Sequence, residues 1–373
     1  MTGYTTGRSM GRLAAASIRR LRGSVRVGAG SVTGPIVVAL VLVSTIPGDT
    51  AQNASPRFPS RLDDYFRNSV RLTAGEQKQL AAGQPVTRLL DADASKEVAV
   101  FGAVWIDAPT ARYVAAVQDI ERFERGGGFK VTTRISAPPR LEDFGQLRLP
   151  REDVDDLRTC RVGDCDVKLS ERALNEFRTQ VDWKAPDAPA AANRVMQRLA
   201  FEYVNRYLQG GNDSLAVYRD NGRPTFVAQE FKAMVDSMPE LTTYMPNMRR
   251  YLLEYTNVEL ADAISFLYWQ ETEFGLKSTI RISHLTILDG PEDTVVASKM
   301  LYASHYFWTG LELRMLVPDP SRGPGFWFVT VNRSRSDGLS GFTGLLVRRR
   351  VRSEVQNGAL AGLRTTKQRL EMR

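Results

Sequence analysis

Histidine and cysteine are almost missing from this chain, with two of each in 373 residues. Zinc-type chemistry needs three or four such ligands at set spacing, which these do not supply. His284 and His305 fall on adjacent predicted strands, about six and fifteen residues from the turn at Gly290, so they are not cross-strand partners and a His-His metal site is not expected. The nucleophile elbow Gly-x-Ser-x-Gly is absent. Ser304 and His305 are neighbours on a predicted strand, where successive side chains face opposite ways, so they cannot form a hydrolytic pair directly. Long apolar runs are lacking as well. The most apolar stretch, Pro35 to Ile46, is about a dozen residues, short of the ~20 a spanning helix needs.

That stretch has a different use. Arg8, Arg12, Arg19, Arg20, Arg22 and Arg26 precede it without an acid among them, and no charge occurs from Val27 to Gly48. A positive segment followed by a short apolar one is the layout of an export signal. No small-x-small cleavage site stands out between Ile46 and Ser55, so an uncleaved N-terminal anchor is the alternative to a cleaved signal. No cysteine follows the apolar stretch, which argues against lipoprotein processing. The flanks of Arg19-Arg20 fit a twin-arginine signal poorly. A periplasmic or secreted location is expected.

The leader also accounts for most of the basicity. Without its six arginines and Asp49, the net charge falls from +8 to +3. A field that weak on a chain this long gives no argument for nucleic acid. Hydrophobic residues at 43% and aromatics at 9% are ordinary for a chain that packs a core.

The two cysteines stand together as Cys160-Arg-Val-Gly-Asp-Cys165. In an oxidising compartment a close pair reads as a disulfide closing a tight turn, with Gly163 supplying the backbone freedom. Covalent haem attachment would want a histidine where Asp166 stands, and a redox pair has two intervening residues rather than four. Closing so short a loop stabilises by about 2 kcal/mol in the chain-entropy picture.

Along the rest of the chain, residues 1–52 are the signal and leader, and 53–94 a linker with one short helix. Residues 95–373 form a single α+β domain with a helical, disulfide-bearing insertion at about 140–260. Thr73 and Glu76 form a capping box for the short helix. Glu97 to Asp107 reads as a strand, and Pro109 opens a helix through Phe123 that Gly126-Gly127-Gly128 ends. That glycine run follows a helix and leads into a strand, the reverse of a phosphate loop. In the insertion, helices are expected at Glu171 to Val181, from Ala192 through Tyr207 to Gly210-Gly211, and at Thr225 to Met238. Met234, Met238, Met245 and Met248 gather four of the ten methionines. Thioether sulfur suits Cu(I), but with no histidine nearby core packing explains the cluster with less.

From Ala263 the pattern turns β-rich: Ile264 to Thr272, Ser278 to Leu288, Thr294 to Thr309 and Gly325 to Arg335 read as an antiparallel meander of at least four strands, with a hairpin at Asp289-Gly290-Pro291-Glu292. A final helix starts near Gly344, with Val347, Val351, Val355, Ala359, Leu363 and Leu370 along one side. Arg348, Arg349, Arg350, Arg352, Arg364, Lys367, Arg369 and Arg373 lie elsewhere on it. Such a helix is a solvated face or, in the alternative reading, a peripheral contact with anionic lipid.

The strand ending Trp105-Ile106-Asp107-Ala108-Pro109, the helix carrying Val117-Gln118-Asp119-Ile120-Glu121, the late meander and the closing helix ending Arg369-Leu370-Glu371 together resemble the START-type helix-grip superfamily. The resemblance covers about residues 95–130 and 262–373. It implies a curved antiparallel sheet around a long C-terminal helix, enclosing a cavity for a lipid or another hydrophobic small molecule. It carries over no catalytic residue, cofactor or metal, and the helical insertion departs from the usual pattern. Trp269, His305, Tyr306, Trp308 and Arg333 are the candidate ligand-binding residues: the aromatics suit a cavity wall, and Arg333 could pair with a carboxylate or phosphate head group. The alternative for Arg333 is a surface pair with Asp337, and His284 is expected at a hydrogen-bonded core position beside Ile280, Ile282 and Leu288. A binding protein, an enzyme of unidentified chemistry and an envelope scaffold are the function classes left open, with binding preferred.

Overall fold

The computed structural model describes residues 58–126, 128–274, 277–337, 339 and 344–372. Residues 1–57, where the sequence leads one to expect an export signal and leader, lie outside the described residues. The fold is mixed α+β, built on one eight-stranded antiparallel sheet. Its strands are β1 (Val86–Leu89), β2 (Glu97–Ile106), β3 (Phe129–Arg134), β6 (Ile264–Phe274), β7 (Lys277–Asp289), β8 (Thr294–Ala303), β9 (Phe307–Pro318) and β10 (Phe326–Ser336); β4 (Val217–Tyr218) and β5 (Thr225–Phe226) pair separately. The order across the sheet is β1-β2-β10-β9-β8-β7-β6-β3. Strands β6 to β10 form a meander whose far edge is completed by β2 and β1 and whose near edge is completed by β3.

The helices are α1 (Ser60–Asp64), α2 (Ala74–Ala81), α3 (Thr110–Gln118), α4 (Ile120–Phe123), α5 (Arg151–Leu157), α6 (Glu171–Gln180), α7 (Ala188–Gly210), α8 (Val227–Asp236), α9 (Pro246–Glu254) and α10 (Gly344–Glu371). Side-chain alternation divides them between the two faces of the sheet. On one face Val104, Ile106, Leu285, Ile287, Phe326 and Phe328 pack with Tyr113, Val117 and Ile120 of α3 and α4 and with Leu363 and Leu370 of α10. On the other, Phe101, Trp105, Leu313, Trp327 and Val329 pack with α1, α2, α8 and α9, while Trp269, Ile280, Ile282 and Tyr302 pack with α6 and α7. Each fully buried large apolar side chain stabilises by about 1.5–3 kcal/mol, so a sheet covered on both faces needs few special devices.

The closing helix is docked by specific contacts. Lys367 donates to the Trp105 carbonyl at 2.8 Å, the Asp107 amide donates to Glu371 at 2.8 Å, and Arg112 reaches the Leu370 carbonyl at 2.6 Å. Gly102 of β2 lets Leu363 approach, since a Cβ there would lie 3.0 Å from Leu363 Cδ1 and 2.9 Å from Thr330 Oγ1.

Several local expectations hold and others need correction. The capping box at Thr73 and Glu76 is formed, α6, α7 and α8 match the predicted helices, and the hairpin at Gly290 joins β7 to β8. The four clustered methionines are buried core residues. The run Thr294 to Thr309, read as one strand, is two: the chain turns through Ser304, His305 and Tyr306, with Tyr306 at φ +61°. Continuous β-branched and aromatic composition hid that turn, because neither glycine nor proline marks it. The helix from Pro109 breaks at Asp119, whose carboxylate accepts from the Arg122 amide and starts α4. A short strand, β1, lies inside the segment read as linker.

Cys160 and Cys165 form a disulfide with Cα atoms 4.6 Å apart, within ordinary disulfide geometry. Its loop docks on the turn between β4 and β5: the Gly163 amide donates to the Arg219 carbonyl at 2.7 Å and the Cys165 amide to the Asp220 carbonyl at 2.9 Å. Below it Lys168 is buried between Asp220, at 2.9 Å, and Asp337. Disulfides persist in oxidising compartments, which suits an extracellular or periplasmic setting. No helix among the described residues is long and apolar enough to cross a membrane.

Candidate functional site

The helical stripe of α7 does not seal against the sheet everywhere. Met196, Leu199, Ala200 and Tyr203 face Ile282 of β7 and Tyr302 of β8 across a cleft that Ala173 of α6, Ala216 and Tyr218 close at the sides. The cavity measures about 60 Å³ and its lining is predominantly apolar. A single water needs about 10–15 Å³, so the cleft takes a short apolar segment rather than a whole sterol. It lies on the face of the sheet opposite α10, because Ile282 belongs to the α7 side while Leu285 and Ile287 alternate to the α10 side.

Arg172 and Arg206 stand at the cleft's margin. Both are held by Glu202, at 3.8 Å for Arg206, and Arg172 also pairs with Glu176 at 2.8 Å. The rim is therefore charged but largely compensated. Among the wall tyrosines, Tyr203 donates to the Leu301 carbonyl at 2.7 Å and Tyr218 accepts from the Ala303 amide at 3.3 Å. The buried Tyr302 hydroxyl finds no partner among the described protein groups. Burial, and then the nearby Asp153 carboxylate, push its pKa well above the ordinary tyrosine value, so it is a hydrogen-bond donor throughout the physiological range.

Asp153 connects this wall to His305. In the β8–β9 turn, His305 Nε2 lies 2.8 Å from Asp153 Oδ1 and Nδ1 lies 3.1 Å from the Asp166 carbonyl. Both ring nitrogens thus face acceptors, and the other Asp153 oxygen is buried without a partner. Ser304 Oγ accepts the Ile280 amide at 3.0 Å, so the sequence neighbours Ser304 and His305 are each committed elsewhere. The pair ties α5 to the β8–β9 turn.

The other expected site residues are spread out. Trp269 is buried in the α7-side core beside Ile282, its Nε1 donating to the Asp143 carbonyl at 2.9 Å. The Tyr306 hydroxyl accepts from the Lys277 amide at 2.7 Å, and Trp308 packs half-buried against the same core. Arg333 is buried on the α8 side, bonded to Glu97 at 2.7 Å and reaching Ser237 Oγ at 3.3 Å. None of the five lines the cleft. His284 is a buried, hydrogen-bonded core residue, its Nδ1 3.0 Å from the Tyr207 hydroxyl. Among the described residues, no group of three or more His, Cys, Asp or Glu side chains is placed to hold a metal ion.

Sequence reading missed Lys299, a buried lysine directly opposite His284 in the β7–β8 register. A signal for it was present: in Val295-Val-Ala-Ser-Lys299 the strand alternation puts the lysine on the same side as Val295 and Ala297. Comparison of the chain with protein-family models, with curated proteins and with solved structures found no match.

Proposed function

We propose that the chain is an exported protein that holds a small hydrophobic molecule, or the acyl end of a lipid, in the cleft between α6, α7, β7 and β8, and that it binds rather than transforms it. The observation that carries this reading is the apolar lining of Met196, Leu199, Ala200, Tyr203 and Ile282 beside a buried hydroxyl, Tyr302, that no group among the described residues satisfies. Apolar walls with one or two placed polar groups are the usual composition of small-molecule sites. A long C-terminal helix laid on an antiparallel sheet supports a likeness to the helix-grip architecture, with the cleft on the other face from that helix. The signal-like leader and the disulfide support export.

Native mass spectrometry with lipid extraction, on the mature protein purified from its own periplasm, tests the reading. A hydrophobic molecule at close to one per chain, lost on Ala216→Trp, is expected. A ligand-free chain with a cleft that takes up no alkane or alcohol refutes it and leaves the scaffold reading ahead.

A further inference from the structure

The least expected group on the helix-covered side of the sheet is an amine. Lys299 on β8 is 1% exposed. Nζ bonds to Asn212 Oδ1, just past α7, and lies 3.4 Å from the Tyr207 hydroxyl. It stands 4.5 Å above the Phe231 ring of α8 and 5.1 Å from that of Tyr207. His284 faces it from β7 and Leu311 from β9. Tyr251 and Tyr255, at the end of α9, close over His284, and Tyr255 stacks on Tyr207 at 5.0 Å while remaining half-exposed.

No carboxylate among the described residues compensates the amine, and burial alone lowers its pKa from 10.5 to about 7. Hydrogen bonds to Asn212 and, at 3.4 Å, to the Tyr207 hydroxyl are a poor structural reason for this, since an apolar side chain would fill the space without a desolvation penalty. Lysines desolvated in this way serve as nucleophiles towards carbonyl carbon.

We propose that Lys299 is a covalent attachment site for an aldehyde or ketone whose apolar chain lies in the cleft, the product being an imine. This rests on the cleft being a binding site. The cleft residues Tyr203 and Ile282 precede Tyr207 by one helical turn and His284 by two strand residues, about 6 Å in each case. The amine does not itself line the cleft, so a carbonyl at the end of a chain held there meets it when the buried Tyr207 and His284 side chains part. Nζ attacks the carbonyl carbon to form the C–N bond, the C–O bond then breaks, and both amine protons leave on the oxygen as water. The reaction needs no oxidant or reductant. The Tyr207 hydroxyl, between Nζ and His284 Nδ1, is placed to pass protons between nitrogen and oxygen. Burial, and then Lys299, hold His284 down to a pKa of about 3, so at neutral pH its ring is uncharged, with one nitrogen free to accept and the other to donate.

The test is reductive trapping on the full chain: hexanal with cyanoborohydride, peptide mapping of the adducts from pH 6 to 9, and in parallel the binding of 1-hexanol. An ordinary lysine is only ~0.1% neutral near pH 7.5, whereas Lys299 is largely neutral, so even after the cost of access its alkylation is expected at least ~tenfold faster than that of any other lysine. Its rate should level off above pH 7 while the others keep rising, 1-hexanol should compete, and Lys299→Met should remove the adduct. Labelling confined to other lysines while 1-hexanol still binds overturns the imine and leaves the cleft reading standing. Neither adduct nor hexanol binding overturns both.

Discussion

Replacing Lys299 with methionine removes a buried amine but keeps its length, and the consequence for stability follows from linkage. The folded-state pKa of about 7 lies below the ordinary 10.5, so between those values the unfolded chain binds the proton that the folded chain refuses. Stability due to this group therefore rises with pH across that window and is flat below it. At about 1.4 kcal/mol per unit, the penalty reaches about 4 kcal/mol at pH 7 and falls to about 2 kcal/mol at pH 9. Lys299→Met escapes all of it but leaves Asn212 Oδ1 without its donor, costing about 1–3 kcal/mol. The variant should be more stable than wild type by about 2 kcal/mol at pH 7, with the advantage gone near pH 9. Urea unfolding of both proteins at pH 6, 7, 8 and 9 measures this, and other titrating groups cancel in the difference. The window stops there because buried tyrosines with raised pKa, among them Tyr207 and Tyr218, begin to lower stability as the unfolded chain ionises above pH 10. A wild-type minus variant difference that is constant with pH would refute an uncompensated amine at this position.

Other perturbations have equally definite outcomes. Gly211 sits at φ +56° with the Tyr255 carbonyl oxygen 1.7 Å from where a Cβ would be, so Gly211→Ala should cost more than about 3 kcal/mol or prevent folding, read as loss of soluble protein or of the thermal transition. Cys160→Ser with Cys165→Ser should cost about 2 kcal/mol, the entropy of a short loop, and thermal melts in oxidising and reducing buffer should coincide for that variant alone. Arg349, Arg350 and Arg352 are exposed on α10, with Glu354 pairing only Arg350, at 2.8 Å. If this face meets anionic lipid, each arginine contributes about 1 kcal/mol, so changing all three to glutamine should weaken binding to phosphatidylglycerol vesicles by about a hundredfold; equal binding of both proteins would exclude it.

How legible each part was follows from which physical signal it depends on. Elements whose identity rests on periodicity or local chemistry could be read directly: the α7 stripe from Ala192 to Tyr207, the Thr73 capping box, the all-buried strand Glu97–Ile106, the hairpin at Gly290. The turn at Ser304 to Tyr306 could not, because a tyrosine at φ +61° carries none of the usual marks of left-handed backbone. That one error displaced His305 from a strand to a turn, and with it any inference about what His305 faces. Strand β1 was illegible for a related reason: Val86–Leu89 is four residues long and gains its place from long-range contacts, pairing with β2 and a bond from Gln356 of α10 to the Thr87 carbonyl. The candidate site was harder still. A cleft is the place where packing stops, and neither Met196 nor Ala200 differs in sequence from a residue whose neighbours close the gap. The buried ionic groups show the same limit in sharper form. Lys299, Arg333 and Lys168 are all basic side chains under 5% exposed, yet Arg333 meets Glu97 and Lys168 meets Asp220 and Asp337, whereas among the described residues Lys299 meets an amide, a hydroxyl and rings but no carboxylate. Strand alternation can say that a lysine points inward, but only the fold says whether a carboxylate waits there. That difference, between a compensated and an uncompensated buried charge, is what separates a structural ion pair from a candidate for chemistry.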